Sequence, residues 1–564
     1  MGQTGLRKQT MLELSILLKK AIDAAAFSEN EAEQLKNNFA VEVPADVNHG
    51  DFATNLAMVG AKVLKTAPAK VAQRILAEVN LEGTSFERFE FAAPGFINFF
   101  LKNEWFKKTA LEIEQKKGSF GKLNLGNNKR VLVEFVSANP TGPMHVGNAR
   151  GGAIGDCLAE ILSWAGFYVE REFYLNDAGN QIEKFKRSLS VRYLQLFDGG
   201  QNLQMPDDSY HGEDIIELAS EFAKVYGEEF VQVPEKERQQ ALVEFALPRN
   251  VARLESDLKA YRIIYNNWFK ESSLYENDRV SEVVNKLTEL GHTFKKDGAV
   301  WFAFSRLGGE KDEVLVRENG IATYFAADIA YHYDKFIKRK FDLGINVWGA
   351  DHHGHVARLK GALEVLGVAP SNLKIVLMQL VRLVRNGETV KLSKRSGKAI
   401  TLATLLSEVS IDAARFFFNL REANSHFDFD LDLAVSQSNN NPVYYVQYAY
   451  ARVCQLLKKV DNLEALQEIW SKIDYDFLEV ERNLIKSMVD FEVEIEVAAM
   501  NFDSSVVAKF AIELATRFHK FYSSVRILGE PEHKLAARVL ICAAVKVVLE
   551  NLFKILKIEA RQKL

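Results

Sequence analysis

The residues with the means to do chemistry fall into a few short clusters. His145-Val-Gly-Asn148 follows Asn139-Pro-Thr-Gly-Pro143, where two prolines and a glycine end a preceding strand. A helix that starts beyond such a turn offers unpaired N–H groups and a positive dipole end, a site suited to phosphate. His145 and Asn148 flank that start and can donate to phosphate oxygens. Val390-Lys-Leu-Ser-Lys-Arg-Ser-Gly-Lys398 is a basic serine-glycine loop, able to neutralise a polyanion. Glu134 stands within an otherwise apolar strand, where a carboxylate needs a cationic partner, either a ligand or an internal Arg or Lys. Tyr324 and Asp328 lie four apart in a helical stretch and share a face. Gly349-Ala-Asp-His-His-Gly-His355 gathers histidines, but His352, His353 and His355 lack the i, i+4 pairing of helical metal ligands. No metal site is assigned there.

The elements that must hold these groups are legible in outline. Val131, Val133 and Phe135 alternate as a strand, and a helix from about Gly147 carries Ile154, Leu158, Ile161 and Leu162. Tyr168 to Tyr174 reads as a second strand, completing a βαβ unit and implying a parallel sheet. Asn176-Asp-Ala-Gly-Asn-Gln-Ile182 follows at that strand's end, where open α/β sheets bind ligands. Asp177 there is open to two readings, a helix cap or a substrate contact. A charged, mostly helical insertion spans about 200–275, with no chemistry evident in it. Strands resume at Phe294, with another at Ile345–Trp348, and Asn386-Gly387 marks a hairpin.

The expected class is α/β. A Rossmann-like parallel-sheet catalytic domain (125–400) carries a small α+β N-terminal domain (1–115), a connecting helical segment (401–438) and an all-α C-terminal domain (439–564). The N-terminal unit reads as helices with a strand pair between Phe89 and Leu101, turning at Pro94-Gly95.

Composition narrows the function classes. The net charge of −4 over 564 residues gives no global electrostatic case for nucleic acid, so any RNA contact must be local. Cys157, Cys454 and Cys542 are far apart, which argues against a disulfide framework or structural zinc and for a reducing, cytoplasmic setting. No stretch approaches the roughly 20 apolar residues of a membrane span, and the first helix, interrupted by Glu13, Lys19 and Lys20, is not a secretory signal.

Ser137-Ala-Asn-Pro-Thr-Gly-Pro-Met-His-Val-Gly147 resembles the first nucleotide-binding motif of class I aminoacyl-tRNA synthetases in its arginyl-tRNA synthetase form, with Asn148 where a second His is usual. Lys391-Leu-Ser-Lys394 resembles the second motif, Lys-Met-Ser-Lys, with Leu for Met. Gly50-Asp-Phe-Ala-Thr-Asn-Leu-Ala57 is similar to that family's extra N-terminal domain, and Asn441-Pro-Val-Tyr-Tyr-Val-Gln-Tyr-Ala449 to its anticodon-binding domain. The resemblance implies L-arginine, ATP with Mg²⁺ and a cognate arginine tRNA as partners, a cytoplasmic monomer, and tRNA-dependent activation. It implies His145, Gly147, Asn148, Lys391, Ser393 and Lys394 around ATP, with His145, Asn148, Lys391 and Lys394 catalytic. Glu134 and Asp328 would take the guanidinium, Tyr324 would line its pocket, and Ser137, Asn139 and His352 would lie near the amino and carboxyl groups. The N-terminal domain would contact the tRNA elbow, or serve only for packing. Tyr448 and Arg452 would contact tRNA bases, and Lys554, Lys557, Arg561 and Lys563 would add phosphate contacts or form a solvated face. A non-catalytic RNA-binding relative, suggested by Asn148, and a nucleotidyltransferase that does not act on tRNA are the competing readings.

Overall fold

The computed structural model describes residues 5–197, 199–390 and 400–564. Its centre is a five-stranded, wholly parallel sheet in the order Leu373–Met378, Leu343–Gly349, Arg130–Glu134, Tyr168–Leu175, Asn267–Lys270. The chain builds outward in one direction from Arg130–Glu134, then crosses back to add the last strands on its other side. The order therefore reverses between Arg130–Glu134 and Leu343–Gly349, and ligands of such sheets bind at the carboxyl ends beside that reversal. Glu134 to Asn139 and Gly349 to His355 follow those ends.

The helix Val146–Trp164 packs closely on the central strand because small residues face it. A Cβ on Gly155 would lie 2.3 Å from Phe135 Cγ, so only glycine permits this approach. Residues 200–275, expected to be a helical insertion, do supply the helices Glu213–Tyr226 and Glu235–Ala260, but they also include the edge strand Asn267–Lys270. Four residues are too few for alternation to register in sequence. Similarly, the segment 401–438 expected to be helical contains the strand Phe427–Asp430, which runs parallel to Val381–Arg385.

The N-terminal unit is an antiparallel sheet ordered Val41–Glu42, Phe52–Thr54, Phe96–Leu101, Phe86–Ala92, with helices against it. The pair around Pro94-Gly95 matches the expectation, while the short strands Val41–Glu42 and Phe52–Thr54 were not foreseen. The C-terminal part is helical, including Pro442–Lys458, Glu479–Asn501, Ser505–Ser524 and Glu532–Leu556. The two ends of the chain are fastened together. Asp51 pairs with Lys486 at 2.8 Å, and Glu492 accepts from the Leu6 N–H.

Candidate active site

The turn after Glu134 is unusual. The Ser137 N–H donates to the Phe135 carbonyl (3.0 Å) across Val136, whose φ is +71°, and Ser137 itself has φ +43°. This is a γ-turn with a β-branched residue in the left-handed region, a strain of about 1–3 kcal/mol. Its effect is to swing Ser137 back over the strand. The Ser137 hydroxyl donates to Glu134 Oε1 (3.1 Å) and accepts from the Tyr174 N–H (3.3 Å). The loop is held from the stretch in which no chemistry was expected. The Tyr265 hydroxyl donates to the Phe135 carbonyl (2.9 Å), and the buried Asn250 amide donates to the Pro140 carbonyl (2.9 Å).

His145 caps the helix Val146–Trp164. Its Nδ1 accepts from the Gly147 N–H (3.0 Å), and Asn148 Oδ1 accepts from the His145 N–H (3.1 Å). Using Nδ1 as acceptor places the ring proton on Nε2, leaving that N–H to donate outward. Desolvation by the surrounding protein lowers the His145 pKa, so the ring is neutral at pH 7. Asn148, standing where a second His is usual, spends its carbonyl on the cap and keeps its NH₂ for donation. One turn on, Arg150 is fully buried. It donates to the carbonyls of Gln379, Glu422 and Ser425, and desolvation lowers its pKa to about 10.

Lys391, Ser393 and Lys394 lie outside the described residues. Asn386 (φ +51°) and Gly387 (φ +76°) turn the hairpin that leads into the motif. Beyond it, Ile400 accepts from the Val146 N–H (2.9 Å), Leu402 donates to Met144 (2.8 Å), and Thr401 bridges His145. The chain leaving the second motif is thus stitched to the first residue of the other.

The carboxylates divide into two groups. Glu134 is buried and already neutralised: Lys335 Nζ donates to its Oε2 at 2.6 Å and to Asn346 Oδ1 at 3.1 Å. Lys335 sits in a π-helical turn, Asp334–Lys338, that continues the helix Tyr324–Tyr333. Of the two kinds of partner the sequence left open for Glu134, the structure shows an internal lysine on Oε2, while Oε1 faces Ser137. Asp328 is partly exposed and pairs with no Lys or Arg among the described residues. Near it lies Glu271, 2 % exposed, whose Oε1 has no hydrogen-bond partner among the described residues. Burial, and next the charge of Asp328, push the Glu271 pKa up to about 7. The Tyr174 and Tyr275 hydroxyls adjoin this pair. Sequence reasoning missed Glu271, which follows an unrecognised edge strand.

Tyr324 is half exposed, and its hydroxyl accepts from the Asn180 N–H (3.2 Å) at the start of the helix Gly179–Leu194. Asp177 does not cap the helix that follows it, whose N-cap is Ala178; both its oxygens accept from Ser272, through N–H (2.8 Å) and Oγ (2.9 Å). The Asn139 amide lies 3.3 Å from that of Asn176, which in its satisfied orientation donates to Glu271 Oε2 (3.0 Å). His352 is exposed beside Trp348, while His355 reaches Asp328 Oδ2 at 2.8 Å. Among the described residues, no group of three or more His, Cys, Asp or Glu is placed to hold a metal.

The site therefore joins a helix start equipped for phosphate to two neighbouring carboxylates, Asp328 and Glu271, that have no Lys or Arg partner among the described residues. Comparisons with known proteins agree on what carries such a site. The family model for the class I (R) tRNA synthetase catalytic domain matches residues 110–437. The chain belongs to the arginyl-tRNA synthetase family. The arginyl tRNA synthetase N-terminal domain model matches residues 13–101, and the DALR anticodon-binding domain model residues 446–564. An arginine–tRNA ligase of Caldanaerobacter subterraneus is 49% identical over 97% of this chain and 98% of its own. One from Acetivibrio thermocellus is 47% identical, covering 98% of each. Among solved structures, a putative arginyl-tRNA synthetase of Campylobacter jejuni superposes with a TM-score of 0.75 at 30% identity, over 82% of this chain and 100% of that one. The Thermus thermophilus arginyl-tRNA synthetase gives 0.72 at 21% identity, over 98% and 100%.

This synthetase has a further cluster in its helical C-terminal part. Tyr448 lies near-parallel to Tyr444 (6.1 Å between ring centroids) and to His519 (5.7 Å). Arg452 donates to the Tyr448 hydroxyl (2.8 Å) and lies 4.6 Å over Tyr522. Tyr448, Arg452 and Lys563 line a hollow of about 620 Å³. Tyr450 is buried and bonds Glu550, so it belongs to the core. In the tail, Lys557 pairs with Glu160 (3.3 Å) and Arg561 with Asp412 (3.0 Å). Those two cations are tied down internally. No helix among the described residues is long and apolar enough to cross a membrane.

Proposed function

We propose that the cleft joins L-arginine to ATP and passes the aminoacyl group to the terminal ribose of a cognate arginine tRNA, with Asp328 and Glu271 as the guanidinium site. The observation that carries this is the acidic pair itself. Neither Asp328 nor Glu271 shows a Lys or Arg partner among the described residues, and the Tyr174 and Tyr275 hydroxyls beside Glu271 bring no positive charge. A planar cation with forked donors satisfies both carboxylates at once. Tyr324 lines that site. Ser137, fixed by Glu134 and by Tyr174 N–H, and Asn139 receive the amino and carboxyl groups.

The first step is attack of the arginine carboxylate on the α-phosphate, with pyrophosphate leaving. Two anions must meet, so alignment and fixed positive electrostatics supply the catalysis. His145 Nε2–H, the Asn148 NH₂ and the helix N–H groups hold the phosphate and ribose region. Lys391 and Lys394, which the chain order places between the hairpin and Thr401, neutralise the leaving pyrophosphate, and Ser393 adds a donor. Mg²⁺ enters on the nucleotide and is held by phosphates and water rather than by a protein cage. No protein nucleophile is required. Tyr448 and Arg452 then read tRNA bases, and the protein works as a cytoplasmic monomer.

The test is a charging assay with Mg·ATP, matching tRNA and each amino acid in turn, which should yield arginine alone. Calorimetry on Asp328→Ala should show arginine affinity reduced far more than ATP affinity. Equal losses would remove the guanidinium assignment.

A further inference from the structure

Gly349 to His355 presents several histidines, and the one that touches this acidic pair is His355. It lies in the first turn of the helix His353–Val365, with Nε2 2.8 Å from Asp328 Oδ2. An ionised carboxylate cannot donate, so Nε2 carries the proton whatever the charge on the ring. The ring is fixed on both sides. Phe325 meets it edge-on at 5.3 Å, and Trp348 lies 5.9 Å away at 44°. Phe325 is on the same helix as Asp328, and Trp348 is on the strand beside Arg130–Glu134, so the imidazole is referenced to both walls of the cleft. His332, which also neighbours Asp328, bonds only its backbone carbonyl (2.7 Å) and leaves the carboxylate alone.

We propose that His355 is a positioning residue for arginine recognition. It occupies Oδ2 of Asp328, fixes the plane of that carboxylate, and leaves Oδ1 to meet one arm of the guanidinium. A forked cation is more demanding than a point charge. If the carboxylate rotates freely, its oxygen no longer lies in the guanidinium plane, and the recognition advantage of Arg is lost. This rests on the reading of Asp328 as a guanidinium ligand.

The experiment compares His355→Phe, His355→Gln and Asp328→Asn in the full-length enzyme with Mg·ATP and tRNA. Phenylalanine keeps the ring between Phe325 and Trp348 but has no N–H, whereas glutamine places an N–H near the position of Nε2. Losing one charge-assisted hydrogen bond should raise KM for arginine on the order of tenfold or more, with kcat and KM for ATP nearly unchanged in His355→Phe. His355→Gln should recover most of the loss. If His355→Phe does not fold, His355→Asn takes its place, since its shorter amide cannot reach Asp328 and should raise KM for arginine likewise. Uniform losses in kcat and both KM values, or no recovery by glutamine, would overturn the proposal. An unchanged KM for arginine in His355→Phe alongside a raised one in Asp328→Asn would overturn it while leaving the Asp328 reading intact. An unchanged value in both would remove that reading as well.

Discussion

The Lys335 ammonium lies 2.6 Å from Glu134 Oε2 at the carboxyl end of the central strand, and both side chains are buried. The pair holds the acid whose other oxygen fixes Ser137, so a charge in the sheet sets the geometry of the strained turn. Desolvation dominates Lys335 and lowers its pKa, with Glu134 pulling the other way. Removing one member strands the other. Lys335→Met should destabilise the catalytic domain by about 3–5 kcal/mol, and adding Glu134→Gln should restore most of that. Urea unfolding followed by tryptophan fluorescence measures both. A single variant as stable as the parent would mean that water already reaches Glu134.

Glu271 gives arginine binding a pH dependence with a definite sign. In the free enzyme its pKa is raised to about 7. A guanidinium alongside favours the ionised form, so binding lowers that pKa and releases a proton wherever the free group is still protonated. Arginine affinity should be full above this pKa and weaken as pH falls through it, by at most about tenfold per unit. Titration calorimetry near neutral pH in buffers of different ionisation enthalpy should detect the proton, and Glu271→Gln should abolish the release. Zero proton release by the parent enzyme would exclude this coupling.

What could be read from the sequence was local. The helix start flanked by His145 and Asn148, the turn at Asn386-Gly387 and the helical pairing of Tyr324 with Asp328 all follow from residues a few positions apart. What could not be read were the long-range partners. Glu134 and Lys335 are separated by most of the catalytic domain, so the sequence leaves its need for a cation open between a ligand and an internal group. Lys335 also comes through a π-turn, which shifts its side chain off the helical period that a sequence reading assumes. Glu271 was hidden because Asn267–Lys270 is too short to announce itself as a strand. Asp177 looked ready for a ligand, yet Ser272, whose approach depends on that same strand, takes both its oxygens.

The hairpin that delivers the second motif is fastened at its tip. Asp432 Oδ2 accepts from the Asn386 N–H at 2.6 Å, while Arg382 and Asp428 form an exposed fork at 2.7 and 2.9 Å. Both contacts are exposed, but the first holds the backbone of the turn itself, whereas the second joins side chains of neighbouring strands. Asp432→Ala should slow arginine-dependent ATP–pyrophosphate exchange by about tenfold, the value of one charged hydrogen bond, with KM for arginine unchanged. Asp428→Ala should fall within about twofold of the parent. If Asp428→Ala proved as damaging as Asp432→Ala, the Asn386 bond would not be what orients the hairpin.

Tyr448 offers a face for stacking and a hydroxyl for Arg452, and the two contributions separate cleanly. Its ring lies parallel to Tyr444 and near-parallel to His519, at interplanar angles of 8° and 27°, and it lines the hollow beside Arg452, where a base can join the cluster. Tyr448→Ala removes the platform and should weaken tRNA binding by about 1–3 kcal/mol, roughly five- to 150-fold. Tyr448→Phe keeps the ring and loses only the bond to Arg452, so its effect should be severalfold smaller. Stacking releases no counterions, so the slope of log Kd against log salt should be the same in Tyr448→Ala as in the parent. Fluorescence titrations at several salt concentrations give both quantities. A changed slope, or equal losses in the alanine and phenylalanine variants, would assign Tyr448 to holding Arg452 against phosphate instead of to stacking on a base.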